Sequence, residues 1–310
     1  MKKLRRWITL APLVGLALFA LVVASRLQLA SADVRRDANT LEQVAPLSIG
    51  ETATLEILPL YEGTAVQAGL HTGLGVSYLV KTDTATILFD VGNNPSATAP
   101  SPLEQNMATL GISLDQVDMI VLSHTHFDHT GGQQWRTKGT FAVGGDRQAP
   151  LGNRPVYLPE SLSYPGSAPA VVTSPTRIAE GVATTGAIPF VYPFPAWLAI
   201  PGGVEQSLIV NVKGTGLVVI TGCGHMGLAS LLAHVQAEFA APVAGVVGGM
   251  HEGKADAQAL TPQIQLLSAI HPLIVGLSPH DSGPAALAAF QQAFPVAYRP
   301  VAVGAALKVR

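Results

Sequence analysis

The sequence predicts a layered α/β sandwich built from two strand-rich regions, each accompanied by helices. Three observations carry this expectation. Three strand-prone runs, Thr52–Leu60, Gly75–Val80 and Thr86–Phe89, follow one another early in the chain. From Leu208 onward, short apolar runs alternate with segments whose apolar residues recur at helical spacing. Between these regions, residues 144–203 are rich in Pro, Gly, Ser and Thr and hold several short strand candidates. No internal repeat and no second-domain boundary interrupts residues 33–310, which read as one domain.

In chain order, TATLEILPL (Thr52–Leu60) alternates apolar and polar residues and predicts a strand, as do Gly75–Val80 and Thr86–Phe89. The last of these ends at the loop Asp90-Val91-Gly92. A helix is expected over Pro102–Leu110 and a buried strand over Met119–Leu122. Leu208–Val212 and Leu217–Ile220 flank Lys213-Gly214-Thr215-Gly216, the pattern of a hairpin. Helix (Met226–Phe239), strand (Val243–Val247), helix (Gln263–Ile270), strand (Leu273–Leu277) and helix (Pro284–Phe294) follow. A last strand is expected at Val301–Val303.

Composition excludes several functional classes. The chain is 48% hydrophobic and 12% charged, with 18 Lys and Arg against 20 Asp and Glu. Such a balance supplies no clustered basic surface for nucleic acid. The single cysteine, Cys223, rules out an internal disulfide framework. Residues 1–6 are basic and precede the apolar run 7–25, and Ala30-Ser31-Ala32 forms a small-x-small cleavage site. Residues 1–32 therefore read as a signal peptide, or as an uncleaved N-terminal membrane anchor. Either reading puts the body outside the cytoplasm, periplasmic or secreted. A membrane is a partner only if the leader is retained.

The histidines carry the functional signal. Three of the nine fall in His124-Thr125-His126-Phe127-Asp128-His129, directly after a predicted strand and before Thr130-Gly131-Gly132. A strand end followed by a tight loop aims several imidazoles and a carboxylate at one point, and these are ligands for zinc, manganese or iron. Asp128 could also serve as a base.

With this HxHxDH motif the chain resembles the metallo-β-lactamase-fold hydrolase superfamily. Ile87-Leu88-Phe89-Asp90-Val91-Gly92 is similar to the superfamily's strand ending in Asp-x-Gly. Thr221-Gly222-Cys223-Gly224-His225, Gly248-Gly249-Met250-His251 and His280-Asp281-Ser282-Gly283 resemble a subfamily described as ribofuranosylaminobenzene-phosphate synthase-like. The resemblance spans residues 50–305 and implies a four-layer αββα sandwich with a centre for two divalent metal ions, zinc first, with manganese or iron as alternatives. It implies His124 and His126 on one metal and Asp128, His129 and His280 on the other. Cys223 stands where the superfamily has a bridging Asp, and is either a thiolate ligand or an inert buried cysteine.

One departure matters. The superfamily's Pro-Gly-His turn reads Pro201-Gly202-Gly203 here, and no histidine lies between His129 and His225. His225 is then the substitute ligand, the alternative being a structural histidine. His251 is expected at the active site as ligand, substrate contact or general acid, and Asp90 behind a metal-binding histidine. His71 either edges the pocket or is an ordinary loop residue, while His234 and His271 read as structural. The subfamily's His-Pro is replaced by Tyr157-Leu158-Pro159-Glu160, so its substrate contacts do not transfer. The expected activity is hydrolysis of a small-molecule ester, lactone, amide or phosphoester by a metal-bound hydroxide. The alternative is an extracytoplasmic metal-binding protein with a degenerate, non-catalytic centre. No Gly-x-Ser-x-Gly elbow supports a serine hydrolase.

Overall fold

Two sheets, laid down largely in chain order, form the computed structural model, which describes residues 45–192, 202–253, 255–256 and 258–310. The leader at 1–32 lies outside the described residues. Among the described residues no helix is long and apolar enough to cross a membrane. The elements below belong to the compact unit Leu47–Arg310.

The first sheet begins with β1 (Leu55–Tyr61), β2 (Ser77–Thr82) and β3 (Thr86–Phe89), an antiparallel meander. Helix α1 (Pro102–Thr109) then crosses over to β4 (Met119–Val121), which runs parallel to β3. The N-terminus of α1 is closed by a capping box. Ser101 Oγ accepts from Glu104 N at 3.1 Å and Glu104 Oε2 accepts from Ser101 N at 2.7 Å, satisfying two otherwise orphaned donors. Leu103 and Met107 of α1 are buried against the sheet. This crossover is what leaves the carboxyl ends of β3 and β4 side by side on one sheet edge.

The proline- and glycine-rich segment resolves into the short strands β5 (Val156–Leu158), β6 (Ala170–Val171), β7 (Thr176–Ala179), β8 (Val182–Thr184), β9 (Ile188–Phe190) and β10 (Gly203–Glu205). It is preceded by the single-turn helix α2 (Gln133–Arg136). The predicted hairpin is β11 (Leu208–Val212) and β12 (Gly216–Thr221), antiparallel in register Leu208 with Ile220. Helix α3 (Leu228–Glu238), strand β13 (Val243–Gly248), helix α4 (Thr261–Ala269), strand β14 (Ile274–Leu277) and helix α5 (Pro284–Ala293) alternate as expected, and β12, β13 and β14 are parallel. The closing strand is β15 (Leu307–Val309). The sheets are ordered β15-β1-β2-β3-β4-β5-β6 and β14-β13-β12-β11-β8-β7, with β9 and β10 as a separate pair.

Three cores define four layers. The middle one lies between the sheets, with Ile57, Tyr78 and Phe89 from the first facing Val210, Val218 and Val247 from the second. A second joins α3, α4 and α5 to the outer face of the second sheet, and a third joins α1 to the outer face of the first. Burying each large side chain contributes about 1.5–3 kcal/mol. The layering is αββα.

One predicted strand is corrected. Val301 and Val303 are buried, but the pairing there is a single bridge from Val303 to Ala65. The edge of β1 is taken instead by β15, in register Leu55 with Val309. The alternating valines at 301 and 303 therefore report burial, not a ladder position.

Candidate metal centre

Strand direction assembles the centre. The carboxyl ends of β1, β3 and β4 in one sheet and of β12, β13 and β14 in the other carry Glu62, Asp90, the 124–129 loop, Cys223, His251 and His280. Glu205, at the end of β10, reaches the same place.

One donor set is wholly buried. Asp128, His129, Cys223 and His280 each offer a ligand atom, all within 4.8 Å of one another. Cys223 Sγ lies 3.1 Å from His129 Nε2 and 3.3 Å from His280 Nε2. Each imidazole is oriented from behind. His129 Nδ1 is 2.7 Å from Asp90 Oδ2, and Ser278 Oγ, which donates to Glu62, is 2.5 Å from His280 Nδ1. Engaging Nδ1 in this way leaves Nε2 facing the centre.

The other donor set is half open. His124, Cys223 and His225 come within the same 4.8 Å, so Cys223 is common to both sets. His124 Nδ1 meets Ser123 Oγ at 2.8 Å, and Ser123 in turn donates to Asp90 at 2.7 Å. His126 Nδ1 sits 3.0 Å from His124 Nε2, and the Tyr192 hydroxyl is 3.1 Å from His126 Nε2. His225 Nδ1 is 2.8 Å from Glu205 Oε2. That buried carboxylate also accepts the backbone N–H groups of Cys223, Gly224 and His225 at 2.9, 2.8 and 2.9 Å.

Six of the seven residues assigned to metals in the sequence fall in these two sets; His126 belongs to neither and stands beside the half-open one, against His124. Asp90 stands behind two of the histidines. His251 joins neither set. It is exposed at the rim, in left-handed backbone (φ +59°), with its ring 4.8 Å from that of His225. His71 is an exposed loop residue whose backbone is held by Asn106. His234 Nε2 lies 3.1 Å from the Thr185 carbonyl on the flank of α3, and His271 is exposed after α4.

Sequence reasoning missed Glu62 and Glu205. The signal available was a charged residue at the end of a buried strand, where an acid needs a reason to be. A cleft of about 240 Å³ opens beside the half-open set, lined by His124, Thr125, His126, Arg136, Glu160 and Phe190 among others.

The electrostatics suit a cation. Burial, reinforced by the neighbouring imidazoles, holds His124 and His280 well below the usual histidine range. Burial and His225 bring His126 down to about 4. These rings keep free lone pairs at neutral pH. Burial opposes charge on His129 too, but Asp90 and Asp128 outweigh it and lift that group to about 9. Burial, with Asp281 and Glu205 nearby, pushes the Cys223 thiol well up. A thiol so placed ionises when a metal takes the proton's place. Nitrogen, sulfur and carboxylate donors at this separation fit one ion bonded at about 2.0–2.3 Å to each, as zinc is.

Comparison with known proteins agrees with this geometry. The model of the metallo-beta-lactamase superfamily matches residues 72–143, which include the whole 124–129 loop. The crystal structure of Tm1679, a metal-dependent hydrolase of the beta-lactamase superfamily, superposes with a TM-score of 0.60 at 22% identity, covering 82% of this chain and 99% of that one. This chain has the metallo-β-lactamase fold. The 7,8-dihydropterin-6-methyl-4-(beta-D-ribofuranosyl)-aminobenzene-5'-phosphate synthase of Methanocaldococcus jannaschii is 26% identical, over 71% of this chain and 85% of its own length. An uncharacterized protein of the same archaeon is 26% identical over 57% of this chain and 72% of its own.

In this metallo-β-lactamase fold the two sheets meet at Gly222. A Cβ there would run into the Ser123 side chain and come within 3.2 Å of Asp90 Oδ2. Gly222→Ala should therefore lower the melting temperature by about 2–10 °C, the range set by an overpacked core. It should also reduce bound metal by displacing Ser123 from His124. An unchanged melting temperature and metal content would show that Ser123 yields freely and does not orient His124.

Proposed function

We propose that this protein is a metal-dependent hydrolase of a small-molecule ester, lactone, amide or phosphoester. The observation that carries the reading is the pair of donor sets sharing Cys223 beside an open cleft. His124, His126, His225 and Cys223 would hold one divalent ion, zinc by the donor chemistry, and Asp128, His129, Cys223 and His280 the other. Bound there, two ions supply Lewis-acid polarisation of the scissile group and a water acidic enough to attack it near neutral pH.

The chain's own residues do the rest. Asp90 fixes the Nδ1 proton of His129 and the hydroxyl of Ser123, and Ser123 orients His124. Tyr192 takes Nε2 of His126, leaving Nδ1 toward the centre. His251, exposed but partly desolvated at the rim, is kept below the usual histidine range by that desolvation and then by His225, so its neutral ring can accept a proton from the attacking water and pass it to a leaving group. A metal carrier needs no cleft reaching His124 and His126, and the cleft favours turnover. The basic start and apolar run 7–25 support a location outside the cytoplasm.

The test is metal content by elemental mass spectrometry beside a panel of esters, lactones, amides and phosphoesters. Wild type should hold about two ions per chain and His225→Ala about one. Chelation should abolish turnover reversibly, and His126→Ala should abolish it with the fold intact. Metal binding without turnover of any ester, lactone, amide or phosphoester would return the protein to the carrier class.

A further inference from the structure

The cleft beside the half-open donor set holds an unused charge. Arg136, the last residue of α2, lines it together with His124, His126, Thr125, Glu160 and Phe190. Its side chain is exposed and forms no ion pair among the described residues, where the arginine–carboxylate pairs are Arg154–Asp115 and Arg177–Glu180. Glu160 shares the cleft without pairing to Arg136, and its carboxylate takes the hydroxyl of Thr125 instead. An arginine left without a counter-charge in a concave site next to reactive groups presents a planar fork of donors to whatever enters. Among the described residues, Phe190, Gly202, Gly203 and Val204 line the rest of the cleft.

We propose that this cleft receives a substrate bearing an anionic group, a carboxylate or phosphate, on the arm beside the bond to be cut, and that Arg136 selects it. The inference rests on the hydrolase reading for the position of that bond, but not for the binding itself. The volume of about 240 Å³ gives room for a short acidic arm. Glu160 acts against the anion. Its charge limits affinity and sets a preference for ligands whose acid reaches Arg136 without crossing it.

Glutarate and its neutral diamide, glutaramide, are the probes, titrated calorimetrically into the metal-loaded protein. Glutarate should bind and glutaramide should not. Arg136→Ala should weaken glutarate about 10- to 100-fold, the scale of a charge-assisted hydrogen-bonded pair. Arg136→Lys should recover part of the loss, and Glu160→Gln should tighten glutarate several-fold. Equal glutarate affinity in wild type and Arg136→Ala overturns the proposal, because the anion then sits on metal alone; equal binding of glutaramide does so too. Turnover separates the two readings. If neither mono-p-nitrophenyl glutarate nor p-nitrophenyl butyrate nor any lactone, amide or phosphoester of the panel is hydrolysed while glutarate binding still depends on Arg136, the hydrolase reading falls and the anion cleft stands. If both esters are hydrolysed equally and Arg136→Ala changes neither KM, the cleft assignment falls and the hydrolase stands.

Discussion

Replacing Cys223 with alanine should empty both halves of the candidate centre at once. Its sulfur is the one donor common to the buried set and the half-open set, 3.1 and 3.3 Å from the Nε2 atoms of His129 and His280. Losing any other donor leaves one set complete. Without Cys223 the half-open set keeps only imidazoles, and the buried set has no soft ligand to neutralise an ion. Metal per chain should fall from about two to below one, and turnover should drop by roughly 100-fold or more, beyond what removal of a ligand's supporting partner costs. The fold should survive, since the change deletes one buried atom and costs about 1 kcal/mol. Cys223→Ser separates ligation from packing, because it keeps the volume and discards the thiolate. Full metal content in both variants would make Cys223 a spectator and leave His124, His126 and His225 to bind an ion alone.

Much of this site was legible because it is local. His124, His126, Asp128 and His129 fall in one loop after a buried strand, so period and spacing alone placed them at a sheet edge. The hairpin was equally local, with Lys213-Gly214-Thr215-Gly216 between two apolar runs. The choice of His225 rested on the resemblance to the superfamily, whose Pro-Gly-His turn reads Pro201-Gly202-Gly203 here. Gly202 and Gly203 now line the cleft instead. What escaped was set by long-range geometry. Glu62 supports Ser278 and the backbone N–H of His280, more than two hundred residues away, and nothing in LPLYEG announces that. Ser123 and Ser278 were equally silent, since a serine between a carboxylate and an imidazole has no sequence signature. Val301–Val303 failed for the opposite reason. Its alternation is real, but the backbone partner it needed was already paired with β15.

The two missed glutamates should respond oppositely to the same substitution. Burial lifts Glu62 to about 7 despite its hydrogen bonds, so near neutral pH it already spends much of its time as the acid. Burial also acts on Glu205, but His225 and the backbone N–H groups of Gly224 and His225 outweigh it and hold that group below the usual range. Glu205 is therefore ionised, and four donors within 2.9 Å depend on its charge. Glu205→Ala strands those donors in a dry interior at about 1–3 kcal/mol each before relaxation, enough to lower the melting temperature by about 10 °C or more. Glu205→Gln keeps one acceptor but sets an amide N–H₂ against N–H donors. His225 then loses its orienting partner while Asp128, His129 and His280 keep theirs. That variant should retain about one ion of two, held by the buried set, with turnover reduced about 10- to 100-fold. Glu62→Gln should bind both ions and melt within a few degrees of wild type, because the neutral amide resembles the acid already present. Wild-type metal content in Glu205→Gln would mean that His225 is oriented by the Cys223-Gly224-His225 backbone itself, with no need of the carboxylate behind it.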